Sequence, residues 1–343
     1  MQRGAIIGLG NVALHGHLPG WHRRRDVEIV AVTDARPEQH ALVSAHAPAA
    51  RWYATPAQLL AEAAVDFVDI CTPPRSHAPL IRSALERGLH VLCEKPLVGA
   101  RDDLAPLARL AEKTGRVLYT VHNWHHAPIV RRTTELVDEG RIGRVNHVVW
   151  HTLRTRPAVA GDERGGNWRV DPAVAGGGVL TDHGWHVFYV VQRWIGAPPL
   201  SVSATLERRR HTGWDVEDTA SVRVTYPEAI AEILLTWASD VRRNWAEVRG
   251  TTGVLELRDD TLVLKGDARG ADLAWSCPPA MSDGSHHPDW FDGVANQFLA
   301  EAAGAAPRGA NLAEATLCAA LERGARASSL DGGREVPLSE VLS

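Results

Sequence analysis

The fold that we expect for this chain follows first from the segment Gly4-Ala-Ile-Ile-Gly-Leu-Gly-Asn-Val-Ala13. An apolar run leads into the pattern Gly-x-Gly-x-x-Ala, which is typical of a strand that turns tightly into a helix. The first glycine permits the turn, the second lets the backbone approach a pyrophosphate, and the alanine keeps the helix close to the sheet. The helix N-terminus offers unpaired N–H groups to phosphate oxygens. We therefore predict a dinucleotide-binding turn that includes Gly8, Gly10, Asn11 and Val12.

A second apolar run, Glu28–Thr33, ends at Asp34. An acid about 20 residues after the glycine motif is expected to bind the ribose. A carboxylate there accepts hydrogen bonds from the ribose hydroxyls and repels a 2′-phosphate, so Asp34 favours NAD over NADP. Arg36 is close enough to weaken that preference. The alternative is a plain glycine turn with Asp34 as a helix cap, and the strand and helix on either side of the motif favour the dinucleotide site.

The rest of the chain divides into two patterns. Up to residue 121, short apolar runs alternate with helical stretches, which predicts βαβ units and a doubly wound parallel sheet, a Rossmann domain. From residue 122 to 343, one long strand and a series of strands on short turns predict an α+β domain with a large, mostly antiparallel open sheet. Two helices close the chain, and this C-terminal segment can pack back on the first domain. A cleft between the domains is the expected active site.

Composition excludes several classes of protein. The formal net charge of -4 is unlike the clustered basic excess of a nucleic-acid binder. No stretch reaches the ~20 apolar residues that cross a bilayer, and the N-terminus enters an apolar strand without a signal-peptide pattern. Four cysteines without a Cys-x-x-Cys pair do not form a disulfide framework. We expect a cytoplasmic protein with no nucleic-acid or membrane partner.

Lysine is rare in this chain, since arginine supplies nearly all of its 37 basic residues. Lys95, Lys113 and Lys265 are the three lysines, and the first stands in Glu94-Lys-Pro96, directly after the apolar run His90–Cys93. The carboxyl edge of a parallel sheet is where open α/β folds bind ligands. We therefore predict that Lys95 points toward the nicotinamide end of the cofactor site. An ordinary surface turn is the alternative.

The segment Gly176-Gly-Gly-Val-Leu-Thr-Asp-His-Gly-Trp-His186 is the densest in chemical groups. Asp182 and His186 are four residues apart, which places them on one face of an α-helix. Histidine is the side chain most readily poised for proton transfer near neutral pH, and a carboxylate one turn away can orient it. A metal site with His183 lacks further ligands in the sequence, so we predict none. Separately, each residue could be structural, Asp182 as a helix N-cap and His186 as a core histidine.

Five motifs in order resemble those of the Gfo/Idh/MocA family, the glucose–fructose oxidoreductase and inositol dehydrogenase-like enzymes. The resemblance covers essentially the whole chain. The motifs are the N-terminal glycine turn, Cys71-Thr-Pro-Pro-Arg-Ser-His77, Glu94-Lys-Pro96, Trp168-Arg-Val-Asp-Pro172, and the glycine triplet followed by Asp182 and His186. The resemblance implies an NAD(P)-dependent oxidoreductase that acts on a sugar, cyclitol or related polyhydroxy compound, as a homodimer or homotetramer assembled through the C-terminal sheet.

The resemblance also implies roles for single residues. Lys95 would hydrogen-bond the reacting hydroxyl or carbonyl, His186 would be the general acid or base, and Asp182 would be its partner. Residues that would border the cofactor are Thr72, Pro73, His77, Glu94, Lys95 and Asn123; Trp168 and Arg169 would close over cofactor or substrate.

Aromatic residues of the second domain are candidates for the wall of the substrate pocket. Sugars stack on aromatic rings, which makes Trp124, Trp168 and Trp185 candidates. His125 stands where the family often has arginine, and exchanging a fixed cation for a titratable ring changes how substrate is held.

Two other functions stay open at this point. The same fold can run a transient oxidation with tightly bound NAD, as a lyase, glycosidase or epimerase without net redox change. A non-catalytic NAD-binding regulator is the other alternative, against which the presence of Lys95, Asp182 and His186 speaks.

Overall fold

The structure, a computed structural model, describes residues 1–99, 102–159, 166–266, 272–284 and 286–342. Its first layer is a six-stranded parallel sheet in the order β3-β2-β1-β4-β5-β6. The order reverses between β1 and β4, which is the point where such sheets bind ligands. The strands are β1 (Gln2–Ile7), β2 (Val27–Thr33), β3 (Arg51–Trp52), β4 (Phe67–Ile70), β5 (His90–Cys93) and β6 (Leu118–Thr120).

Helices cover both faces of this sheet, as the alternating pattern predicts. A π-helical turn, Ala13–His17, continues into the first α-helix, and Thr55 caps the third by accepting a hydrogen bond from the backbone N–H of Gln58 at 3.1 Å. The helices are α1 (Leu18–His22), α2 (His40–His46), α3 (Pro56–Glu62), α4 (His77–Glu86) and α5 (Ala105–Thr114).

The second layer is a nine-stranded sheet in the order β14-β13-β12-β11-β7-β10-β9-β8-β15. Every neighbouring pair is antiparallel except β7 and β10, so the expected mostly antiparallel sheet is confirmed. The strands are β7 (Val145–Leu153), β8 (Ser201–Glu207), β9 (Thr219–Thr225), β10 (Ile230–Thr236), β11 (Arg243–Gly250), β12 (Val254–Arg258), β13 (Thr261–Lys265), β14 (Leu273–Ser276) and β15 (Val336–Pro337).

Six α-helices follow β6 in the part of the chain that the structure describes. The central one, α8, is apolar on nearly every side and is buried from Trp185 to Val191. The helices are α6 (Pro128–Asp138), α7 (Pro172–Ala175), α8 (Trp185–Ile195), α9 (Pro288–Ala302), α10 (Ala310–Leu330) and α11 (Ser339–Leu342). Within the described ranges, no helix has the length and apolar character that a bilayer crossing requires.

Helix α9 returns to the first sheet. Phe291 stacks on the His17 ring with centroids 4.2 Å apart, and Phe298 packs edge-on against Phe67 at 5.4 Å. Gly20 makes room for this contact, because a Cβ atom there would lie 2.5 Å from the Phe291 ring. The first layer is therefore completed by residues from the last part of the chain.

Candidate active site

A cleft of about 900 Å³ lies between the carboxyl edge of the parallel sheet and the second layer. Loops after β1, β2, β4, β5 and β6 form one wall. The segment after β7, the Trp168 turn and the start of α8 form the other. The sequence-predicted residues that line it are Gly8, Gly10, Asn11, Val12, Asp34, Arg36, Thr72, Pro73, Glu94, Lys95, Asn123, Trp124, Trp168, Arg169, Asp182 and His186.

The glycine turn uses its two glycines differently. Gly8 has φ +100°, and a Cβ atom there would lie 2.9 Å from the backbone of Cys71. This position needs glycine for the fold itself. At Gly10 a Cβ atom would meet nothing within 4 Å, so this glycine leaves open space at the cleft wall, beside the start of the helix.

Asp34 directly follows β2 at the cleft, and its carboxylate already accepts hydrogen bonds. Oδ2 accepts a hydrogen bond from the backbone N–H of Leu9 at 2.6 Å, and Oδ1 accepts from the Arg36 backbone N–H at 2.8 Å and Nε at 3.0 Å. The acid therefore fixes the glycine turn, and Arg36 folds back over it. A 2′-phosphate at this place would meet a carboxylate and a guanidinium together.

His77 does not line the cleft. Its buried ring lies between two backbone carbonyl oxygens, with Nδ1 2.8 Å from Pro96 O and Nε2 2.7 Å from Thr72 O. Burial lowers the pKa of this imidazole. The predicted cofactor contact at His77 is therefore corrected to a brace between two cleft-lining turns, because the ring points between those turns and not past them.

A buried ionic network of His17 and Asp69 holds the cleft-lining Glu94 in place. His17 lies between two acids, with Nδ1 2.9 Å from Asp69 and Nε2 3.1 Å from Glu94. The Trp21 indole N–H donates to Asp69 at 2.8 Å. Burial alone would lower the pKa of His17, but the charges of and hydrogen bonds to its neighbours, Asp69 foremost and then Cys71, together outweigh it and raise the pKa well above its ordinary value. The imidazolium therefore fixes Glu94 at the cleft.

Lys95 reaches across the cleft to the second layer. Its Nζ donates to the backbone carbonyl of Asp182 at 2.7 Å and to the carboxylate Oδ1 at 3.1 Å. Arg169 Nε lies 3.8 Å from the same Oδ1, and His183 Nε2 lies 3.6 Å from Oδ2. Burial opposes ionisation of Asp182, but these neighbours, Lys95 above all, hold the pKa of its carboxyl far below the usual range. Asp182 is thus a fixed anion that positions the lysine.

The structure does not pair Asp182 with His186, although their spacing predicted it. Asp182 lies in a π-helical turn, Leu180–Gly184, and its carboxylate faces Lys95, Arg169 and His183 instead. His186 instead places Nδ1 2.8 Å from the Tyr189 hydroxyl and stacks on Trp124, with centroids 4.4 Å apart and planes 8° apart. Burial, followed by the charge of Lys95, lowers the pKa of His186 well below its ordinary value, so the ring is neutral near pH 7.

Two predicted substrate contacts lie outside the cleft. Trp185 is fully buried, donates its indole N–H to Glu322 at 2.7 Å and is absent from the cleft lining. His125 turns toward Glu314, at 3.0 Å, and lines a second cavity of about 700 Å³. Residues 123–126 form a 3₁₀ turn, in which neighbouring side chains point about 120° apart, so His125 diverges from Trp124.

Two models of known protein families match the chain, one over the first sheet and one over most of the second. Residues 2–122 match the model of the oxidoreductase family with an NAD-binding Rossmann fold, and residues 130–256 match the model of the GFO/IDH/MocA C-terminal domain. The chain belongs to the Gfo/Idh/MocA family of oxidoreductases. Its first domain is thus an NAD-binding Rossmann domain.

Individual members of this family show the range of relatives. D-glucoside 3-dehydrogenase of Escherichia coli is 35% identical over 208 residues, which are 59% of this chain and 56% of that protein. D-apiose dehydrogenase of Paraburkholderia graminis is 25% identical over 292 residues, 82% of this chain and 74% of that protein. The structure of an Agrobacterium radiobacter oxidoreductase with NAD+, L-tartaric acid and magnesium superposes with a TM-score of 0.85 at 20% identity, covering 99% of both chains.

Sequence reasoning missed several residues of the site. His17 and Tyr189 support Glu94 and His186, and Arg154 and Arg242 line the cleft. One signal was present for His17: Asp69 is a charged residue inside the apolar strand β4, and such a residue needs a buried partner. The two arginines follow strands in loops, where the sequence has no periodicity to indicate their direction.

Proposed function

We propose that this chain is an NAD-dependent oxidoreductase that interconverts a hydroxyl-bearing carbon and a carbonyl in a sugar, cyclitol or related polyhydroxy compound. One observation carries the proposal. A lysine fixed by a buried carboxylate and a neutral, buried histidine line the same cleft, opposite the glycine turn of the Rossmann domain.

The cleft residues fit NAD. Gly10 leaves space at the helix N-terminus for a pyrophosphate, and Asp34 is the acid beside the ribose. The Asn123 side-chain oxygen is buried and has no hydrogen-bond partner among the described residues, which suits the amide N–H of a carboxamide. When bound, the nicotinamide supplies the hydride chemistry. Residues proposed to hold it are Gly8, Gly10, Asn11, Val12, Asp34, Thr72, Pro73, Glu94 and Asn123.

His186 is proposed to take the hydroxyl proton during oxidation. Its Nδ1 is occupied by Tyr189, so Nε2 is the ring nitrogen left for substrate within the described part of the chain. A base must be unprotonated to act, and the lowered pKa keeps it so. In the oxidative direction we therefore expect kcat/KM to stay level from pH 8 down past the ordinary imidazole value of about 6.5. It should fall only at more acidic pH.

Lys95 is proposed to stabilise the negative charge that develops on the reacting oxygen. A fixed donor aimed at that oxygen is worth most in the transition state. Asp182 and its backbone carbonyl hold the ammonium before substrate arrives, so little reorganisation is needed.

Two variants test the assignment. Lys95→Ala and His186→Ala should each lose most turnover, while the Kd for NAD, measured by calorimetry, changes by no more than a few-fold. Lys113→Ala, an exposed lysine in the last turn of α5, is the matched control and should keep full activity. Near-normal turnover in both cleft variants would contradict the proposal.

The assay should cover sugars, cyclitols, sugar acids and keto-sugars with NAD and NADP in both directions, with products identified by mass. NADH formation in step with product supports net oxidation. Product without NADH would show the redox-neutral use of bound NAD.

We also propose assembly as a homodimer or homotetramer through the nine-stranded sheet, in the cytoplasm. Light scattering of the purified chain checks the first point. A monomer at micromolar concentration would contradict it.

A further inference from the structure

The substrate half of the cleft is rich in positive charge. We define this half by Lys95 and the second-layer residues that line the cleft. Besides Lys95 it contains Arg154, Arg156, Arg169 and Arg242, and its acid within the described residues is Asp182. The other two cleft acids lie on the cofactor wall and have their own partners: Asp34 is bonded to Arg36 and Glu94 to His17. One carboxylate of the cleft lining therefore faces five cations.

Arg154 is the most buried of these cations, at 3% exposure. Its Nη1 donates to the backbone carbonyls of Leu153 at 2.8 Å and Arg243 at 3.1 Å, and its Nη2 donates to the Asn244 side-chain oxygen at 3.2 Å. All three acceptors are neutral. Among the described residues, no carboxylate lies within ion-pair distance of this guanidinium. Burial lowers its pKa to about 10, so it stays charged at neutral pH.

A buried guanidinium that is hydrogen-bonded to neutral groups alone is costly, because Asp182 and Asp259, which lie beyond ion-pair distance, repay only part of the desolvation. Of its five N–H donors, Nε–H and one on Nη2 have no protein acceptor in the described ranges. A planar pair of donors matches a carboxylate or a phosphate in two-point contact. The side chain is held in place by strand ends, so its fork is fixed before any ligand binds.

The other cations converge on the same place. The backbone carbonyls of Ser282 and Gly284 accept hydrogen bonds from Arg242 and hold it at the cleft. Arg169 stacks on Trp168 with its guanidinium carbon 4.4 Å from the ring centroid, and its Nε is buried without a hydrogen bond to a described residue. His183 reports the combined field: burial and the charges of Arg154, Lys95 and Arg242 lower its pKa to about 3 despite Asp182 beside it.

We propose that the substrate of this cleft carries an anionic group, a carboxylate or a phosphate, and that Arg154 binds it and determines specificity for it. The inference rests on the proposed function, which places the reacting hydroxyl between Lys95 and His186. Its anionic group then lies toward the loops after β7 and β10, where Arg154 and Arg242 stand. The substrate class is accordingly an acidic sugar or a sugar phosphate, and a neutral sugar is the weaker substrate.

The test uses matched compounds that differ in charge, in several sugar configurations: a neutral aldose, its uronic acid and its 6-phosphate. Initial rates with NAD give kcat/KM for each, and calorimetric titration of the NAD-loaded protein gives binding. We expect the acidic member of at least one set to exceed its neutral partner at least tenfold. The uronate and phosphate arms identify which anion is recognised.

Arg154→Gln and Arg154→Lys are the variants, and Arg243→Gln is the matched control. Arg243 is the neighbouring arginine, 60% exposed and outside the cleft lining. Arg154→Gln should lower the acidic-to-neutral ratio of kcat/KM about 10- to 100-fold, mainly through KM. Arg154→Lys keeps the charge without the fork and should lie in between, whereas Arg243→Gln should leave the ratio unchanged. Added salt should weaken the acidic substrate selectively.

Arg154 also ties β7 to β11, so a purely structural role must be separated. A purely structural role would make Arg154→Gln lower kcat/KM equally for the acidic and the neutral compounds, and this result would overturn the inference. Neutral compounds that bind as well as the acidic ones, or better, would also overturn it. So would the absence of binding by any acidic compound. The proposed function fails separately: acidic compounds would bind through Arg154, yet no compound would be oxidised or reduced.

Discussion

Gly8→Ala and Gly10→Ala should separate the two uses of the glycine turn. Gly8 has φ +100° and backbone atoms of Cys71 at 2.9 Å from a Cβ position, so alanine is strained and crowded there. A positive φ alone costs a side chain about 1–2 kcal/mol, which lowers the melting temperature by roughly 2–8 °C at about 2–4 °C per kcal/mol. Gly10 has open space for a Cβ, so the ligand-free melting temperature of Gly10→Ala should match the wild type.

The rise in melting temperature on adding NAD should show the opposite pattern, because it should be reduced in Gly10→Ala. Ligand at 100 times Kd stabilises a protein by about 2.7 kcal/mol. If the methyl group at position 10 blocks the pyrophosphate and weakens binding about 100-fold, the same NAD concentration equals Kd and stabilises by only about 0.4 kcal/mol. Thermal denaturation with and without NAD measures both effects. The reasoning is refuted if NAD stabilises Gly10→Ala as much as the wild type, or if Gly10→Ala without NAD loses as much stability as Gly8→Ala.

Two further substitutions, Asp69→Asn and Gly178→Ala, test buried contacts by urea denaturation. Asp69→Asn leaves a buried imidazolium with one acid fewer and should cost about 3–5 kcal/mol, whereas Glu62→Gln, in an exposed pair, should cost less than about 1 kcal/mol. The raised pKa of His17 gives stability that is fully present below about pH 6.5 and is lost as pH rises through the pKa of His17 in the folded protein. The loss of stability caused by Asp69→Asn should therefore shrink at alkaline pH. A loss that does not change with pH would contradict a charged His17. Gly178→Ala places a Cβ 1.9 Å from the Glu217 carbonyl oxygen and should prevent folding or cost several kcal/mol, roughly the upper range for overpacking. Gly213→Ala is the control, because a Cβ there has no other atom within 4 Å. Equal stability of the two variants would refute the close approach at Gly178.

The elements with a strong pattern could be predicted from the sequence, and those without one could not. The strands β4 and β5 occupy the residues that their apolar runs indicated, Phe67–Ile70 and His90–Cys93. The two-residue strands β3 and β15 were missed, because two residues carry no period. Their positions depend on the neighbouring strand alone.

The site followed the same rule. The glycine turn and Glu94-Lys-Pro96 each directly follow a predicted strand. They could be placed at the sheet edge, because the carboxyl ends of parallel strands all lie at that edge. The direction of Trp185 could not, because α8 is apolar on nearly every side and its polar residues, Gln192 and Arg193, mark the solvent and not the cleft. The bond between Lys95 and Asp182 joins residues 87 apart, a distance over which spacing carries no information.

The return of α9 to the first sheet has a consequence for protein engineering. A chimera that joins residues 1–121 of this chain to the remainder of a relative would keep every motif of the cofactor site. It would also inherit a foreign α9 facing Trp21, Phe67 and Tyr119, where Phe291 and Phe298 belong. A functional exchange of cofactor domains must therefore transplant two separate stretches of the gene, the N-terminal one and the one that encodes Pro288–Ala302.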